Sequence, residues 1–136
     1  MTSPVIPTLR YHDAPKAIDW LVEAFGFERH LVVEGDEGRI DHAQLTYGSG
    51  MLMCGSHDDH GGYDDLVRTV QLVGAPTGGM YVVVDDVDAH AERAQAAGAE
   101  IVQPPEDQDY GGRNYTCRDL EGNVWSFGSY DPWSDG

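Results

Sequence analysis

The chain has 136 residues, 40% of them hydrophobic, which is enough for one ordinary domain with a buried core and no covalent staple. Eight Lys and Arg against 24 Asp and Glu give a net charge of −16, which argues against nucleic acid or an anionic membrane as partner and favours cationic ligands. No apolar run approaches the roughly 18 residues of a membrane helix, and the opening M-T-S-P-V-I-P lacks the features of a secretory signal, so a cytoplasmic protein is expected.

In chain order, Val5 to Tyr11 is a β-leaning run broken by Pro7, which suits an edge strand or a bulge. Asp13 then caps a helix over Ala14 to Ala24. Its apolar positions Ala17, Ile18, Leu21, Val22 and Phe25 recur at helical spacing, Pro15 sits in the first turn, and Gly26 ends it. Strands are expected over Phe27 to Glu34, Arg39 to Tyr47 and Gly50 to Gly55, with a turn at Asp36-Glu37-Gly38. Ser56 to Gly79 reads as a linker with a helical turn at Tyr63 to Val70. The pattern then restarts. Met80 to Val84 is a strand, Asp86 to Ala97 a helix closed by Gly98, and Ile101 to Gln103 a short strand stopped by Pro104-Pro105. A hairpin over Arg113 to Arg118 and Asn123 to Tyr130 follows. Cys54 and Cys117 fall inside strands and are expected to be reduced, partly buried thiols.

The second half repeats the first. Leu45 to Ser56 aligns with Arg118 to Ser129 at an offset of 73 residues, while Asp13, Ala17, Ala24, Gly26 and Glu28 align with Asp85, Ala89, Ala96, Gly98 and Glu100 at an offset of 72. The chain therefore reads as an α+β protein of two tandem β-α-β-β-β modules, residues 1–56 and 79–136, joined by a linker over 57–78.

The duplication, the helix ends A-F-G-F-E and A-A-G-A-E, and the hairpin D-L-E-G-N-V-W-S-F-G together resemble the vicinal oxygen chelate superfamily, which includes glyoxalase I, bleomycin resistance proteins and extradiol dioxygenases. The resemblance covers nearly the whole chain. It implies curved mixed sheets with helices outside, cup-like cavities and a homodimer. It also implies four positions where metal enzymes of the superfamily carry their ligands, and these fall near Ile6, Met53, Gly79 and Ser126. Those side chains cannot supply the carboxylate and imidazole groups a catalytic divalent ion requires, so no metal and no other cofactor is expected.

Strand alternation nominates the lining of the cups. His42 and Gln44 share a face with Thr46, and Met51, Met53 and Gly55 follow in the next strand. Thr8 and Arg10 on the first strand, with Tyr81 and Val83 on the fifth, complete the wall. In the second hairpin Arg113, Tyr115 and Cys117 are expected to point inward beside Val124, Ser126 and Gly128, with Trp125 and Phe127 under the helix. The glycine turn before Arg113 brings Tyr110 to the rim. Trp133 is expected to pack on a second subunit or close a pocket, and Trp20 to lie at an interface or be clamped by the C-terminal tail. The run His57-Asp58-Asp59-His60 has metal-capable chemistry but reads as a solvated linker, and no nucleophile with a partnering base stands out. Such a wall suits a metal-free protein that binds a small molecule, resembling the bleomycin resistance branch and sequestering a cationic antibiotic or another metabolite. The alternative is a metal-dependent glyoxalase, lyase or dioxygenase-type enzyme using His42.

Overall fold

A computed structural model describes residues 3–57 and 62–134. These fall into two compact units, one within Met1–Ala75 and one within Pro76–Gly136. Among the described residues eight strands form two four-stranded mixed sheets, ordered β1-β4-β3-β2 in the first unit and β5-β8-β7-β6 in the second.

In the first unit β1 is Thr8–Tyr11, α1 Ala14–Phe25, β2 Glu28–Glu34, β3 Ile40–Tyr47 and β4 Gly50–Ser56. The first strand is shorter than the sequence predicts. Pro7 has no N–H to give a ladder, so only its carbonyl is used, by the N–H of Met53 at 3.0 Å. The side chain of Asp13 accepts a hydrogen bond from the Lys16 N–H and caps α1. Gly26 closes the helix in the left-handed conformation, φ 87°, with its own N–H donating to the Val22 carbonyl and the Phe27 N–H to the Leu21 carbonyl. The apolar stripe Ala14, Ala17, Ile18, Leu21, Ala24 and Phe25 is buried, together with Ala43, Leu45, Leu52 and Cys54 of β3 and β4. These sheet residues are ladder partners, Leu45 with Leu52 and Ala43 with Cys54, so they share one face.

In the second unit β5 is Gly79–Val83, α4 Val87–Ala96, β6 Glu100–Asp107, β7 Arg113–Arg118 and β8 Val124–Gly128. The segment before it holds two short helices, α2 Tyr63–Leu66 and α3 Val70–Val73, where the sequence suggested one turn. Strand β6 runs through Pro104-Pro105 rather than stopping at Gln103. It is an edge strand, and the prolines fall in a ladder irregularity between Gln103 and Glu106, where no N–H is required.

The motif D-L-E-G-N-V-W is held by one carboxylate. Asp119, 6% exposed, accepts from the N–H groups of Glu121 at 2.9 Å and Asn123 at 3.0 Å, and from Trp125 Nε1 at 3.1 Å. Gly122 supplies the positive φ, 93°, that the turn needs. Trp125, Phe127, Tyr115 and Cys117 are all buried below. Tyr115 Oη lies 2.5 Å from Nδ1 of His90 on α4, and the His90 ring sits 4.2 Å from that of Phe127, so this is the helix-covered face.

Candidate functional sites on the open sheet faces

Each sheet thus has a helix-covered face and an open one. In the first unit the residues between the buried ones lie on the open face: His42, Gln44 and Thr46 of β3, and Met51, Met53 and Gly55 of β4. Thr8 and Arg10 pair in register with Met53 and Gly55 and share that face. Leu31 and Val33 of β2, opposite Gln44 and His42, extend it and are exposed. His42 Nε2 lies 3.1 Å from the Gln44 amide nitrogen, so the amide donates to the ring.

Arg10 is not a free cation. Its Nε donates to Asp64 Oδ1 at 2.7 Å, its Nη2 donates to the Ser56 carbonyl at 3.0 Å, and its guanidinium lies 5.4 Å from the Tyr63 ring centroid. Gly55 makes this possible, since a β-carbon there would meet Arg10 Nη1 at 2.9 Å. Thr8 and the Tyr63 hydroxyl are 2.6 Å apart, so α2 is fastened over the β1 end of the open face. His57 Nδ1 stands 4.0 Å from the same Asp64 oxygen, while Asp58, Asp59 and His60 lie outside the described residues. Tyr63 and Asp64 are therefore wall residues that sequence reasoning left in the linker.

In the second unit the inward assignment of Arg113, Tyr115 and Cys117 is reversed. Tyr115 pairs with Phe127 and Cys117 with Trp125 across the hairpin, and opposed residues point to the same side, so all four face α4. Arg113 follows them, donating to Asp88 of α4 at 3.0 Å and to Asp107 at 3.2 Å, and these two hydrogen bonds raise its already high pKa. The indel lies in the longer second turn, so β7 keeps the offset of 72 while β8 follows the offset of 73, and alternation counted without that shift lands on the wrong face. The equivalents of His42, Gln44 and Thr46 are consequently Asn114, Thr116 and Arg118, and a consistent offset would have found them.

The open face of this sheet carries Tyr81 and Val83 of β5, Val124, Ser126 and Gly128 of β8, and Asn114 and Thr116 of β7. Thr116 and Ser126 hydroxyls are 2.8 Å apart. Tyr81 leans over Gly128, where a β-carbon would come within 2.5 Å of its hydroxyl, and donates to the Tyr130 carbonyl at 2.6 Å. Burial, then the neighbouring Tyr110 and Asp131, raise the Tyr81 phenol above its usual pKa. Asn114 donates to the Tyr110 hydroxyl at 3.1 Å and accepts from Gln108 at 3.1 Å. The two thiols lie on the covered faces. Burial pushes both up to about 12, the Arg10 charge opposing it at Cys54 and the Asp119 carboxylate adding to it at Cys117.

The family model for the Glyoxalase/Bleomycin resistance protein/Dioxygenase superfamily matches residues 5–127. The chain belongs to this superfamily. TioX from Micromonospora sp. ML1 has a similar structure, with a TM-score of 0.71 and 38% identity, covering 93% of this chain and 97% of that one. The uncharacterized protein Mb0911c of Mycobacterium bovis is 34% identical over 122 residues, 90% of this chain and 80% of that protein. The Mn(II)-bound fosfomycin resistance protein FosX of Listeria monocytogenes shares the fold at a TM-score of 0.67 and 16% identity, covering 97% of this chain and 94% of that one.

The superfamily's metal chemistry needs oxygen and nitrogen donors with an open coordination position. The four equivalent positions here do not fit it. Ile6 precedes β1, Met53 offers a thioether, Gly79 no side chain, and Ser126 a hydroxyl already bonded to Thr116. Among the described residues no three His, Cys, Asp or Glu side chains converge in a way that would hold a metal ion.

Proposed function

We propose that this member of the superfamily is a metal-free small-molecule-binding protein, of the kind the bleomycin resistance branch represents, that sequesters its ligand against the open sheet faces. The observation that carries this reading is the chemistry of those faces. At the four positions where a metalloenzyme would present its ligands there is no carboxylate or imidazole, and around them the faces present methionine, tyrosine, amide and hydroxyl groups, with His42 bonded to Gln44, beside half-exposed apolar surface. That composition suits a ligand with a large apolar body and a few hydrogen-bonding groups. The protein acts as a cytoplasmic homodimer, and the almost fully exposed Trp133 and the apolar Leu66, Leu72 and Val73 of α2 and α3 are surfaces a partner subunit would cover.

The test is a thermal melt of chelator-treated protein with Zn, Ni, Mn or Fe(II), followed by a small-molecule panel in which cationic antibiotics are included. A ligand that binds only the native state raises apparent stability by RT ln(1 + [L]/Kd). The reading expects a rise with a member of the panel and none with the metals. A rise with one metal that disappears in His42→Ala would move the protein to the metal-dependent enzyme class.

A further inference from the structure

The Gly128 end of the second open face carries three partly exposed tyrosines that contact one another or the chain segments of the other two. Tyr81, Tyr110 and Tyr130 are 41, 62 and 43% exposed, far more than core aromatics. Their placement is nevertheless fixed. Tyr81 is tied to the Tyr130 backbone and occupies the space over Gly128, Tyr110 is held by Asn114, and the Tyr110 and Tyr130 rings meet edge to face at 5.4 Å with an interplanar angle of 84°. The turn can bring them together because Gly111 and Gly112 take φ of 105° and 77°, and any side chain at Gly112 would strike the Tyr130 backbone. Exposed rings normally sample many rotamers, so anchoring three of them around one corner is organisation without a packing benefit.

The charge around the corner has one sign. Glu106 stands opposite Asn114 in the ladder, and Asp131 is close enough to disfavour ionisation of Tyr81. Residues 76–136 hold three arginines and no lysine against 12 carboxylates. None of the three serves the corner: Arg113 is turned to Asp88 and Asp107 on the other face, Arg118 pairs with Glu100 at the Val124 end of the ladder, and Arg93 lies in the last turn of α4. A tyrosine ring attracts a cation through the negative potential of its face, and nearby carboxylates add to that field. We infer that the corner formed by Tyr81, Tyr110 and Tyr130 is a binding site for an organic cation of the alkylammonium or quaternary ammonium class, with the apolar body of the ligand continuing along the open face past Ser126 toward Val124. This rests on the small-molecule reading above and specifies where the charged end of such a ligand is held.

The probes are choline and its uncharged isostere 3,3-dimethylbutan-1-ol, titrated into the full-length protein with tyrosine ring signals followed by NMR. Choline should shift the signals of Tyr81, Tyr110 and Tyr130. Each ring contributes about a two- to fivefold gain in affinity for the cation over the alcohol. Tyr110→Leu, at an exposed turn position, should weaken choline by that factor, while Tyr110→Phe, which keeps the ring but loses its bond to Asn114, should weaken it less. Asp131→Asn should weaken choline and leave the alcohol unchanged. Equal shifts with both probes, or choline shifts confined to residues elsewhere, or none at all, would overturn the inference. The broader reading is judged separately by the ligand panel, whose hits can map to His42, Gln44 and Met53 without involving this corner.

Discussion

The carboxylate of Asp119 gives the sharpest prediction, because one buried group satisfies a whole turn. In Asp119→Ala the N–H groups of Glu121 and Asn123 and the indole N–H of Trp125 lose their acceptor together. An unsatisfied buried donor costs about 1–3 kcal/mol, and bonds to an ionised acceptor lie toward the upper end. The Asn123 bond is part-buried, so its N–H is nearer to water, whereas Trp125 is 1% exposed and its N–H cannot recover a partner. The expected loss is therefore about 3 kcal/mol, less than the sum of three full penalties. For a domain of this size that lowers the midpoint of thermal unfolding by roughly 10 °C. Asp119→Asn should cost less, about 1–2 kcal/mol, since its amide keeps one oxygen for the backbone donors while its nitrogen faces the indole. Urea unfolding followed by Trp fluorescence measures both. If the alanine variant unfolds within 1 kcal/mol of the parent, or the asparagine variant is the worse of the two, the carboxylate does not organise the hairpin as described.

Gly128→Ala should cost about 1–3 kcal/mol by overpacking, because the new carbon meets Asn114 Cβ at 2.9 Å, and should displace Tyr81. Tyr81 would then titrate closer to an ordinary phenol, which absorbance at alkaline pH reads directly. Arg10→Met removes the cation beside the buried Asp64 carboxylate and should release α2, seen as new proteolytic cleavage between residues 62 and 73 and a loss of about 2 kcal/mol; an unchanged digest would contradict the clasp. The thiols of Cys54 and Cys117, with pKa raised to about 12 by burial, should react with iodoacetamide at pH 8 about a thousandfold more slowly than an open thiol, by thiolate fraction alone. Since the folded state holds these protons more tightly than the unfolded one, their contribution to stability is intact below about pH 9 and declines as pH rises toward 12, which urea midpoints across that range would show.

Much of the fold was legible because its signals are local. Asp13 and Gly26 bracket α1, Asp86 and Gly98 bracket the helical stretch of α4, and β7 occupies the expected Arg113–Arg118. The errors arose where a distant constraint decides. Whether Pro104-Pro105 ends a strand depends on that strand lying at an edge, which no local pattern records. The face of β7 depends on ladder register across a turn, and a one-residue slip there sent Tyr115 and Cys117 to the wrong side. Tyr63 and Asp64 gave no sequence signal as wall residues, because their role is set by contacts with Thr8 and Arg10 more than 50 positions earlier.

The irregularities in the edge strands bear on how the protein behaves when concentrated. A strand from another molecule can add to a sheet margin only where N–H and C=O groups recur at regular spacing. Strand β6 offers two consecutive residues without an N–H, and β2 is interrupted by register shifts after Arg29 and after Val33. Neither of these two margins keeps a long enough regular row to template a growing stack, so the half-exposed apolar sheet surface is not continued there by edge-to-edge pairing.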